Sequence, residues 1–128
     1  MKITKIEEHI TAIPHISSIE KSRPGHYLEH PISVIEVYTD EGIIGLGEGG
    51  RGQSLESLGQ TWIGTDPLTV NLTCQGGAIG MALFDIVGKA LGVPANKLMG
   101  SRHWEAVPVG WWSPPLEADE FAAMAEEG

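Results

Sequence analysis

The stretch Ala78 to Gly100, AIGMALFDIVGKALGVPANKLMG, constrains the fold more than any other part of the chain. Ile79, Ala82, Leu83, Ile86, Val87 and Ala90 recur at helical spacing, so one face is apolar. Gly92 follows the last periodic residue and Pro94 stands two further on, which predicts a helix from about Ala78 to Leu91. Its only charges are Asp85 and Lys89, four apart in the acid-before-base order that helps a helix by about 0.2–0.5 kcal/mol. A helix this apolar needs a large partner surface, and the rest of the chain is read for that partner.

A chain of 128 residues is about one domain and can bury a core. The net charge of −9 argues against nucleic acid and against anionic membrane surfaces, both of which demand basic patches. No apolar run approaches membrane-spanning length, and MKITKIEEHI lacks the apolar region of a signal peptide. The single cysteine, Cys74, allows no internal disulfide and reads as a small buried hydrophobe. A cytoplasmic protein is the expectation.

The partner surface is a sheet. Ile3 to Ile13 is rich in β-branched residues and reads as a strand ended by Pro14. Ile32 to Thr39, ISVIEVYT, is a second strand, Asp40-Glu41-Gly42 a hairpin turn, and Ile43 to Glu48 the return strand. Together they predict a three-stranded antiparallel meander, which is stable once a helix covers it. Gly45, Gly47 and Gly50 match the G-x-G-x-x-G spacing of a dinucleotide-binding turn, but that turn must open a parallel βαβ unit. In a hairpin arm, the glycines read instead as permitting close approach of another backbone.

Two loops carry polar side chains suited to ligand contact. The long segment from Pro14 to Pro31 holds Arg23, His26, Tyr27 and His30. The glycine-rich loop after the return strand holds Arg51, the only cation between Arg23 and Lys89. His26 and His30 have metal-ligand spacing for a helix, but flanking Pro24-Gly25 and Pro31 exclude one, so no metal site is expected there. His9 and His103 read as partly exposed structural residues.

The remaining elements are short. Ser54 to Trp62 reads as a two-turn amphipathic helix with Ser54 as N-cap, and Pro67 can begin a helical turn within Leu68 to Cys74. Ala95 to Gly100 is one further turn. Glu105 to Trp112, EAVPVGWW, reads as a short apolar strand, and Leu116 to Glu127 as an amphipathic helix with acids near its start. A lone strand–helix unit has no second strand to pair with, so it reads as the first unit of something longer.

The N-terminal MKITKIE, the hairpin VIEVYTDEGIIGLGE, the segment ALFDIVGKALGVPANKLMG and then VPVGWW leading to a helix together resemble the enolase superfamily. The mandelate racemase and muconate lactonizing enzyme branch is the nearest in motif order. The resemblance implies an α+β capping domain over residues 1–104, a three-stranded meander with a helical bundle. Residues 105–128 would be the first strand and helix of a (β/α) barrel otherwise absent from this sequence. It further implies a magnesium-dependent enzyme that abstracts the proton α to a carboxylate, a racemase, cycloisomerase or acid-sugar dehydratase. Its expected partners are a small carboxylate substrate and further copies of itself. On this resemblance the substrate-binding candidates are Arg23, His26, Tyr27 and Arg51 on the two capping loops, with Trp112 at the C-terminal end of the first barrel strand, beside Trp111 and Ser113. No catalytic residue and no metal ligand of the family falls within these residues.

Two departures from the family pattern stand out. The sequence supplies none of the later barrel strands, and the interval from Glu48 to Ala78 is some thirty positions short of the family's helical part. The chain alone is therefore expected to be non-catalytic. A stand-alone α+β module binding a ligand or partner, or a self-associating fragment, is the alternative.

Overall fold

The computed structural model describes residues 1–14, 29–49, 54–100, 104–110 and 116–127. The chain divides into two compact units, residues 1–11 with 31–103, and residues 12–30 with 104–128.

The first unit is built on a three-stranded antiparallel sheet, β1 (Ile3–Pro14), β2 (Glu29–Thr39) and β3 (Ile44–Gly49), in the order β1-β2-β3. This is the meander predicted from the β-branched segments and the hairpin turn. The β2–β3 turn is closed by Thr39, whose backbone N–H donates to the Ile43 carbonyl at 3.0 Å and whose hydroxyl accepts from the Ile43 N–H at 3.0 Å. Gly42 supplies the positive φ, +79°, that the turn requires. Asp40 ties the turn to the start of β1: its N–H donates to the Lys2 carbonyl at 2.9 Å, and its carboxylate accepts from the Lys2 N–H at 2.6 Å.

Side chains alternate across β2. Ser33, Ile35, Val37 and Thr39 are buried, while Val34, Glu36 and Tyr38 lie on the half-exposed face. Across the register, Ile35 faces Gly47 and Val37 faces Gly45, so β3 presents glycines to the covered side.

That side is covered by α2 (Gly77–Leu91), preceded by α1 (Leu55–Trp62) and single 3-10 turns at Pro67–Thr69 and Leu72–Cys74. The helix lies directly on β3. A Cβ at Gly47 would stand 1.9 Å from the Ala78 carbonyl oxygen, and one at Gly45 would stand 2.3 Å from the Ala82 carbonyl oxygen. Small residues on both partners, glycine on the strand and alanine at i and i+4 on the helix, allow this approach. Ile79, Leu83 and Ile86 then reach past β3 to pack with Ile3, Ile35, Val37 and Leu58. Each fully buried aliphatic side chain here contributes about 1.5–3 kcal/mol of transfer free energy.

The ends of the helices follow their sequence signals. Ser54 caps α1, its hydroxyl accepting from the Ser57 N–H at 3.4 Å. Gly92 adopts the left-handed conformation, φ +65°, after α2. The Val93 N–H then reaches back to the Gly88 carbonyl at 2.9 Å and the Gly92 N–H to Lys89 at 3.3 Å, satisfying two orphan carbonyls. The short α3 (Ala95–Leu98) follows Pro94.

Cys74 is exposed, against the expectation of a buried hydrophobe. The reason is local: its 3-10 turn has no buried residue, and Asn71 caps it at the surface.

In the second unit the described regular element besides strand ends is α4 (Ala118–Glu127), two residues shorter at its start than the pattern suggested. Asp119 and Glu120 sit in its first turn, where the helix dipole favours acids. Residues 104–110 form no strand. A strand is held by ladder hydrogen bonds to a neighbour, and no neighbouring strand is present for it among the described residues. Val107 and Val109 consequently stay exposed, at 73% and 89%.

Candidate functional site

The five residues expected to bind substrate, Arg23, His26, Tyr27, Arg51 and Trp112, all lie outside the described residues. What the structure describes is the framework beside two of those segments. β2 begins at Glu29 and β3 ends at Gly49, with Ser33 opposite Gly49 in the register. Antiparallel pairing places the start of β2 and the end of β3 at one end of the sheet. Ser33, buried at the same end, donates its hydroxyl to the Glu8 carboxylate, which anchors β1 to β2.

A second group of functional side chains lies on the open face of the sheet, and the sequence reading missed it. Lys5, Glu7 and His9 alternate along β1, and Glu36 and Tyr38 alternate along β2. The His9 Nε2 and a Glu36 carboxylate oxygen are 3.2 Å apart. The Tyr38 hydroxyl donates to Glu36. Lys5 pairs with Glu7 at 2.6 Å, and its ammonium lies 5.0 Å from the Tyr38 ring centroid. The hydrogen bond from Tyr38, helped by His9, holds the Glu36 carboxyl below the usual carboxylate range. Lys5, and then Tyr38, do the same for Glu7. The two carboxylates push the Tyr38 phenol well above its ordinary value, so it stays a hydrogen-bond donor. The signal was available as two period-2 polar runs, K-x-E-x-H and E-x-Y, on strands predicted to pair. His9, expected to be a partly exposed structural residue, is 57% exposed and one member of this network.

The third feature closes an edge. β3 is an edge strand, and its outward Leu46 N–H donates to the Asp85 carboxylate at 2.9 Å. Lys89 donates to the outward Ile44 carbonyl at 2.7 Å and to Asp85 at 2.7 Å. The i,i+4 pair of α2 thus occupies the hydrogen-bonding positions that another strand would take. Beside it an open groove of about 430 Å³ runs over Asp85, Gly88, Lys89, Gly92 and Pro94. It is shallow and mostly apolar, and its two charged residues, Asp85 and Lys89, are paired with each other.

These arrangements stabilise the sheet and close its edge; none assembles a general base beside an electrophile. No family model matches the chain. Along its whole length it is 33% identical to the N-succinyl-L-Arg/Lys racemase of Bacillus cereus ATCC 14579, over 157 aligned positions that make up 42% of that protein. Since the chain has 128 residues, 29 of those positions have no counterpart in it, close to the shortfall noticed in the sequence. It is 39% identical to the D-galactonate dehydratase of Variovorax paradoxus over 102 positions, 61% of this chain and 27% of that one. The crystal structure of the Bacillus racemase superposes with a TM-score of 0.68 at 31% identity, covering 100% of this chain and 42% of the racemase. A protein of Roseovarius nubinhibens ISM, assigned to the mandelate racemase/muconate lactonizing enzymes and complexed with magnesium, superposes at 0.62 with 27% identity over 85% of this chain and 35% of that one. The chain spans less than half the length of the curated relatives it matches. By motif order, whole-length identity and fold, the chain corresponds to the N-terminal part of enzymes of the mandelate racemase/muconate lactonizing branch of the enolase superfamily.

Proposed function

We propose that this chain is the capping, specificity-determining part of an enzyme that abstracts the proton α to a carboxylate, as a racemase, epimerase or acid-sugar dehydratase. The observation that carries this reading is the 33% identity to an N-succinyl-L-Arg/Lys racemase over the entire chain. Residues 1–104 are the capping domain in this reading, and residues 105–128 the first strand and helix of the barrel. The exposed Val107 and Val109 support it, because they are what a barrel strand shows when its neighbours are not beside it.

Arg23, His26, Tyr27 and Arg51 are the side chains that contact the substrate from the capping loops, and Trp112 lines the pocket from the barrel strand. Arginine suits a carboxylate because its fork binds both oxygens. Magnesium is the metal of the whole enzyme, where it would stabilise the charge left by proton removal. The described residues of this chain do not suit it. Magnesium takes oxygen ligands in octahedral geometry, whereas the one three-ligand group among the described residues includes an imidazole and lies on the open face of the sheet. In this reading the metal and the proton-abstracting groups belong to the remainder of the enzyme, which acts as a homo-oligomer in the cytoplasm.

The test is a chimera in which this chain replaces the matching part of the Bacillus racemase. Arg51→Ala and Arg23→Ala in that chimera should raise KM for an N-succinyl amino acid by roughly tenfold or more, each losing a charge-assisted hydrogen bond. Unchanged KM in both variants would remove these residues from the substrate site.

A further inference from the structure

We propose that the open face of the sheet carries a divalent transition-metal site whose ligands are Glu7, His9 and Glu36. One carboxylate oxygen from each glutamate and one imidazole nitrogen lie within 4.8 Å of one another. Metal–ligand bonds of about 2.0–2.2 Å place donor atoms roughly 3–3.5 Å apart around one ion, so small side-chain rotations complete the set. The His9 Nε2 and Glu36 oxygen already stand at 3.2 Å.

The ligands come from two neighbouring strands. Glu7 and His9, two apart on β1, share a face, and Glu36 lies beside them on β2. Strands hold a ligand set more firmly than loops do. Tyr38 donates to Glu36 and orients its carboxylate, the outer-shell support that metal ligands commonly have. One imidazole with two carboxylates selects zinc, cobalt or nickel over magnesium and calcium, which prefer oxygen alone. Lys5, now 2.6 Å from Glu7, is the group the ion displaces; both partners of that pair are solvent-accessible, at 55% and 37%. The chain's net charge of −9 favours the exchange of an ammonium for a dication. A bound ion would join β1 to β2 across the face opposite α2. This site takes no part in the proposed α-proton chemistry and stands whether or not that reading holds.

The experiment is isothermal titration of the chain with zinc chloride and, separately, with magnesium chloride. Cys74→Ser is present throughout, because the exposed thiol would itself take zinc. The expected result is one saturable zinc equivalent, no response to magnesium at the same concentrations, and affinity reduced by more than about tenfold in both His9→Gln and Glu36→Gln. Circular dichroism of the two variants should match the parent, since both side chains sit on the open face. Absence of saturable zinc binding overturns the proposal. So does unchanged affinity in His9→Gln, which would place the ion on other histidines, and so does an equal response to magnesium.

Discussion

Gly47→Ala is the sharpest perturbation of the contact on which the first unit depends. The added Cβ would stand 1.9 Å from the Ala78 carbonyl oxygen and 2.7 Å from its carbonyl carbon. Both are helix backbone atoms, so no rotamer change relieves the overlap. Bringing the closer contact to even 3.0 Å requires α2 and β3 to separate by about 1.1 Å. A gap of 0.5–1 Å already forfeits about a quarter to a half of each van der Waals well along the interface. The core behind that contact includes Ala78, Ala82, Leu83 and Ile86 of α2 with Ile35 and Val37 of β2. Overpacking of this kind costs about 1–3 kcal/mol and occasionally more. Relief of the strand's glycine entropy returns about 0.5–1 kcal/mol. Because the overlap is with helix backbone, the upper end of the overpacking range applies, and the expected net loss is about 2 kcal/mol. Urea unfolding followed by fluorescence measures it, since Trp62 packs against the core. Gly110→Ala is the control: a Cβ there meets nothing within 4 Å, and the midpoint should hardly move. A Gly47→Ala chain within 0.5 kcal/mol of the parent would refute the backbone-on-backbone packing of α2 on β3.

Three further outcomes follow from the same contacts. Ile86→Ala empties a fully buried position and should cost about 2–5 kcal/mol in the same urea experiment. Asp85→Ala releases the outward Leu46 N–H and leaves Lys89 without its ion-pair partner; stability should fall by about 1 kcal/mol and the Leu46 amide should exchange faster by hydrogen-exchange NMR. Gly92→Ala forces a left-handed conformation on a residue with a Cβ but meets nothing within 4 Å, so thermal unfolding should show a loss of about 1 kcal/mol, well below that of Gly47→Ala.

The fold was legible where local chemistry and tertiary packing ask for the same thing. The hairpin at Asp40-Glu41-Gly42 and the α2 stop at Gly92-Val93-Pro94 are both written in turn residues, and both form as read. The glycines of β3 were read as permitting close approach, and Gly45 and Gly47 meet the backbone of α2. Residues 105–112 looked like a strand because their apolar character is real, but 104–110 do not form one: ladder bonds need a partner that composition does not supply. Cys74 failed for the opposite reason, since an apolar propensity says nothing about which side of a 3-10 turn faces the core. The Glu7–His9–Glu36 group was missed because the contact that assembles it, His9 to Glu36, joins two strands, and the polar runs K-x-E-x-H and E-x-Y carry it only once β1 and β2 are paired. The candidate substrate residues were reached through motif resemblance alone, and they lie on segments outside the described residues.

The central claim is that this chain shapes an active site whose chemistry resides elsewhere in the enzyme. Exchange of the α-proton of N-succinyl amino acids, dipeptides and acid sugars in deuterated water with magnesium, read by proton NMR, tests it most directly. The account predicts no exchange by this chain alone and measurable exchange once it is joined to the barrel of the Bacillus racemase. Exchange catalysed by the chain alone, or none by a folded, magnesium-binding chimera on any of these substrates, would contradict it.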